Sequence, residues 1–102
     1  MKNYRIEYHK DVLMETAEVY HWYEVRKEGL GEQFLENVYK TINQVLSYPE
    51  AWSVKSRKGF RETKVKRFPY VVVYRLYKKK RLIFVSSIHH EKRSNKNRYR
   101  KM

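Results

Sequence analysis

Apolar positions recur along the chain with two periods, and the change from one to the other marks out its elements. From Asn3 to Tyr8, Tyr4, Ile6 and Tyr8 alternate with Arg5 and Glu7, the period of a half-buried strand. Asp11 then suits a helix N-cap, and up to Lys27 the spacing becomes fours and threes. Leu13, Ala17, Tyr20 and Tyr23 form one stripe, widened by Val12, Val19 and Trp22, while Glu15, Glu18 and Glu24 face out. Glu28-Gly29-Leu30-Gly31 interrupts the pattern, with a glycine placed to end the helix in a left-handed conformation. A second helix runs to about Ser47 on Leu30, Phe34, Val38, Ile42 and Val45, and Pro49 stops it.

Beyond a polar connection from Ala51 to Lys58, anchored by Trp52, the period returns to two. Phe60 to Arg67 predicts a strand with Arg61, Thr63 and Val65 on one side and Glu62, Lys64 and Lys66 on the other. Phe68-Pro69-Tyr70-Val71-Val72-Val73-Tyr74-Arg75 lacks alternation and is dense in β-branched and aromatic residues, so it reads as a central strand buried on both faces. Leu82 to His90 is likewise interior. Short links at Pro69 and Lys78-Lys79-Lys80 make these three an antiparallel meander. The expected fold class is α+β in the order β-α-α-β-β-β: a helical hairpin on one face of a mostly antiparallel sheet, the other face left for function.

Composition narrows the reading. The 102 residues suit a single domain, 1–102, with a basic tail over about 91–102. Without cysteine there is no disulfide framework, thiolate metal site or cysteine nucleophile. No stretch approaches the ~20 apolar residues of a membrane span, so a cytoplasmic protein is expected. The net charge of +13 is unevenly placed: residues 1–50 carry 6 Lys/Arg against 9 Asp/Glu, and residues 51–102 carry 18 against 2. A half at net +16 suits a polyanionic target, because each neutralised phosphate releases counterions. Mutual screening of the two halves is the plainer alternative.

With these elements in order, the chain resembles the RelE/ParE superfamily of toxins from bacterial type II toxin-antitoxin modules, the plasmid stabilisation type. The likeness is carried by Gly29-Leu30-Gly31 with Phe34, by Lys58-Gly59-Phe60-Arg61, by Arg67 to Arg75, and by Ile88-His89-His90 with Arg93. It implies a cognate acidic antitoxin as partner. It also implies an action: cleavage of mRNA on the ribosome is the first expectation and a block of DNA gyrase the alternative, while the charge alone would also suit a non-toxic nucleic-acid-binding module.

Metal-independent RNA cleavage needs proton transfer and cations around the phosphorane. His90 is the candidate for proton transfer, since histidine titrates near neutral pH, and it stands where the superfamily usually has a histidine or tyrosine. Arg61 and Arg75 could grip phosphate oxygens as guanidinium forks, with Glu62 or Lys64 as base. Lys64, Lys66, Arg67, Lys92, Arg93 and Tyr99 are the candidates for nucleic-acid contact, Tyr99 within Arg98-Tyr99-Arg100 being the one expected to touch a partner. Against the nuclease reading, the turn into the central strand is Phe68-Pro69-Tyr70 where ribosome-dependent relatives commonly carry a basic residue. Asn95 also replaces a frequent proline. The first of these departures points toward the ParE-like branch. No metal or cofactor is expected: adjacent His89 and His90 leave opposite faces of a strand, and the three glycines make no phosphate cradle.

Overall fold

The computed structural model describes residues 3–93 and 97–102; Asn95 lies outside them. In chain order the elements are β1 (Arg5–Tyr8), α1 (Val12–Arg26), α2 (Leu30–Ser47), β2 (Phe60–Lys64), β3 (Tyr70–Tyr77) and β4 (Leu82–His90). They form the α+β fold of two helices and a four-stranded sheet in the order β1-β4-β3-β2. β3 is antiparallel to both neighbours, and only β1, on the edge, runs parallel to its partner β4. Val72, Val73 and Tyr74 of β3 and Val85 of β4 are fully buried, as interior strands demand.

Strand alternation gives the sheet two dissimilar faces. On one, Val65, Val72, Tyr74, Ile83, Val85 and Ile88 meet Val12 of α1 and Phe34, Val38, Ile42 and Val45 of α2. An aromatic cluster locks this layer: Phe34 lies 5.5 Å from Tyr23, 5.4 Å from Phe68 and 5.3 Å from Tyr70, centroid to centroid. On the other face, Phe60, Val71 and Val73 form a smaller cluster.

Three local expectations change. The inward stripe of α1 is Val12, Val19 and Tyr23, while Leu13 is 82% exposed. The stripe through Leu13, Ala17 and Tyr20 continues four residues on into Glu24, a carboxylate that an apolar sheet would not accept. Glu24 instead accepts the backbone N–H of Gly29 (2.7 Å) and of Gly31 (2.9 Å), so it caps α2 rather than facing out. Last, β2 ends at Lys64, before the expected Arg67. Arg67 takes φ +73°, the Val65 N–H bonds back to the Tyr70 carbonyl at 2.8 Å, and Phe68 turns into the core. Proline at 69 has no N–H for a ladder, so β3 starts after it.

Candidate functional site

β4 leaves the sheet at His90, beside the turn between β2 and β3, where the Glu91 N–H bonds the Pro69 carbonyl at 2.9 Å. A recess of about 600 Å³ opens there between α1 and the strand end, lined by Glu15, Glu18, Trp22, Tyr70, His90 and Arg93 among others. The His90 ring stands edge-on to Tyr70, centroids 5.3 Å apart, and its Nδ1 accepts the Lys92 N–H at 3.2 Å. The neutral ring therefore carries its proton on Nε2. Burial raises the Tyr70 hydroxyl pKa, with Arg93 pulling the other way. Lys64, Lys66, Arg67, Lys92 and Arg93 are exposed around this end, Lys64 lying 3.5 Å from Glu91.

The opposite sheet face is not left open. A bulge between Val73 and Tyr74 in the register of β3 with β4 leaves Ser86 without a partner residue, and the serine pair in this otherwise apolar strand turns to the C-terminal segment. Ser86 Oγ donates to the Arg98 carbonyl (2.8 Å), and Ser87 Oγ donates to the same carbonyl (3.1 Å). Tyr99 stacks on Phe60 with centroids 5.2 Å apart, and its hydroxyl donates to Glu62. Arg100 clamps Glu15 of α1 with two bonds of 3.0 and 2.7 Å, and bonds the Ser86 carbonyl. The segment thus straps the sheet to the helix layer.

His89, 8% exposed, lies beneath this strap. Arg98 Nε donates to its Nε2 at 2.5 Å, and a guanidinium cannot accept, so the ring proton sits on Nδ1, 3.1 Å from Ser87 Oγ. Burial first, then the Arg98 charge, push the His89 pKa down to about 4. Glu62, facing Tyr99 and 3.8 Å from Arg98, belongs to the same cluster.

The residues proposed for catalysis are divided. Arg61 pairs with Tyr74 and lies on the helix side, its Nη1 bonding the Trp52 carbonyl at 2.6 Å. His90 is on that side too, paired with Tyr70, four positions or roughly 13 Å along β3. Glu62 and Arg75 lie on the opposite face, Glu62 bound to the strap and Arg75 over the rings of Phe60 and Tyr77. Lys64, Lys66, Arg67, Lys92 and Arg93 do gather at the His90 end of the sheet, whereas Tyr99 packs within the chain. Sequence reasoning missed the grouping of His89, Glu62 and Arg98. Its only signal was Ser86-Ser87, two hydroxyls in an apolar strand. Among the described residues no three or more His, Cys, Asp or Glu are placed to hold a metal ion, and no helix is long and apolar enough to cross a membrane.

Several comparisons bear on this arrangement. The isolated E. coli RelE toxin superposes with a TM-score of 0.65 at 26% identity, over 89% of this chain and 87% of that one. The E. coli RelBE toxin-antitoxin complex matches with a TM-score of 0.65 at 25% identity, over 88% of this chain and 99% of that one. The chromosomal ParDE system of P. aeruginosa matches with a TM-score of 0.64 at 16% identity, over 88% and 98%. No curated protein matches the sequence. Residues 6–95 fit the sequence profile described as ParE toxin of type II toxin-antitoxin system, parDE. The chain therefore belongs to the ParE toxin family of type II toxin-antitoxin systems.

Proposed function

We propose that this chain is a toxin held in check by a cognate acidic antitoxin, and that it acts by binding DNA gyrase without cleaving RNA. The observation that carries this reading is the division of His90, Arg61, Arg75 and Glu62 between two sheet faces. A phosphorane needs its acid, base and cations within hydrogen-bond reach of one another. Arg61 and Glu62 moreover hold internal partners. The turn that would carry a supporting cation is Phe68-Pro69-Tyr70, whose aromatic rings join the core cluster. The antitoxin follows from family membership and from the RelBE and ParDE systems, in which toxin and antitoxin occur together.

A supercoiling assay with purified gyrase tests it: inhibition is expected, and His90→Ala should retain it. Unimpaired supercoiling at saturating toxin would refute the reading. A second reading, cleavage of mRNA on the ribosome, is favoured by the cations gathered around His90 and its recess. It predicts shortened transcripts in a translating extract, with activity reduced about 10²-fold or more by His90→Ala.

A further inference from the structure

The end of the sheet farthest from His90 carries a second cationic surface. There the turn Lys78-Lys79-Lys80-Arg81 meets the connection before β2, and a recess of about 500 Å³ lined by Val54, Gly59, Arg61, Tyr77 and Lys79 lies between them. Arg57, Lys58, Lys79, Lys80 and Arg81 are exposed, and none of them has a carboxylate partner among the described residues. As at the His90 end, where Lys64 pairs with Glu91, one cation here meets a carboxylate among the described residues, Lys78 with Glu50.

Three details argue that this surface is more than a solvated turn. Tyr77 holds two of its cations in place, with the Arg75 guanidinium 4.9 Å and the Lys80 ammonium 5.8 Å from its ring centroid. Arg81 closes the turn at φ +51°, a left-handed conformation that glycine or asparagine adopts more readily. At the recess wall, the buried Nε–H of Arg61 meets no acceptor.

We infer that this tip binds the phosphodiester backbone of nucleic acid. A row of mobile ammonium groups with pre-placed guanidinium forks meets a continuous line of phosphates without fixed register, and contacts of this kind carry no sequence preference. An anionic membrane is the poorer match, since Val54, 48% exposed, is the only exposed large apolar residue in the recess lining. The inference stands whichever of gyrase and mRNA is the toxin's target.

Fluorescence anisotropy with labelled single-stranded DNA, duplex DNA and RNA of unrelated sequences, each titrated against salt, tests it. Binding to at least one of these should be independent of sequence. Lys79→Gln with Lys80→Gln should weaken it about tenfold at low salt and reduce the slope of log affinity against log salt by about 1.4 to 1.8. These exposed turn positions should leave the melting temperature unchanged. Tyr77→Leu should weaken binding less, by loosening Arg75 and Lys80, and Tyr77→Phe should restore it. The inference is overturned if the lysine pair leaves affinity and slope intact, or if Lys64→Gln with Lys66→Gln at the opposite end removes all binding. It is also overturned if phosphatidylserine vesicles, and no nucleic acid, bind with the same lysine dependence.

Discussion

Two adjacent histidines receive different chemistry because strand alternation sends them to different faces. His90 keeps an outer position, whereas His89 sits under the strap with a guanidinium aimed at its only acceptor nitrogen. A proton on that nitrogen would meet Arg98, with Arg100 beyond it, and the carboxylates of Glu62 and Glu15 only partly offset the conflict. The folded protein therefore holds His89 neutral down to about pH 4, while an unfolded chain protonates it near 6.5. Between those values the unfolded state binds the extra proton, so stability falls as pH falls, by up to roughly 3 kcal/mol, and this contribution levels off below about 4. Thermal unfolding followed from pH 7 to pH 4 should show the loss, and His89→Gln should flatten that part of the profile. An unchanged slope in the variant would mean that His89 titrates normally. The sequence favoured His90 on its end-of-strand position. The chemistry of His89 depends on Arg98, nine residues later in a segment without periodicity, and no local pattern announces such a pairing.

At the scale of elements, the helical hairpin shows how a sequence can offer two answers of similar strength. Leu13-Ala17-Tyr20 and Val12-Val19-Tyr23 are both helical stripes, and periodicity alone does not choose between them. Polar satisfaction decides for the second, because it frees Glu24 to close the N-terminus of α2, where Gly29 offers no side chain to do so. Gly31 is the other half of this junction. A Cβ there would lie 2.5 Å from the Tyr20 carbonyl oxygen and 2.8 Å from its ring. Ala would gain about 0.5–1 kcal/mol of helix propensity, but forcing the helices apart costs about 1–3 kcal/mol. Gly31→Ala should therefore destabilise, and its effect should exceed that of Glu24→Gln, expected at about 1 kcal/mol. Urea denaturation of the two variants checks both; a stabilised Gly31→Ala protein would show that the junction is looser than its contacts imply. The strands were more legible: β4 spans the residues its apolar run marks, and β3 lies where three valines require burial. Strand ends were less so, because Arg67 adopts a positive φ that its residue type does not advertise.

For the whole molecule, chain order becomes a charge separation in space. The first half, net −3, supplies both helices, and the second half, net +16, supplies three of the four strands and the strap. Helices cover one sheet face, so the cations are displaced toward the two sheet ends and the strap, and the acids toward the helical layer. Such a field accelerates the approach of an acidic partner far more than it tightens the final complex, because most exposed cations gain only weak, screened contacts once docked. The Debye length shrinks from roughly 14 Å near 50 mM salt to about 4 Å near 500 mM, which removes long-range steering while leaving buried apolar contacts in place. Association with the cognate antitoxin should accordingly slow by about tenfold or more across that range, with dissociation changing much less. Stopped-flow mixing separates the two rates. If the salt dependence fell mainly on dissociation, the complex would be held by desolvated ion pairs instead, and the uneven charge of the chain would serve affinity rather than encounter.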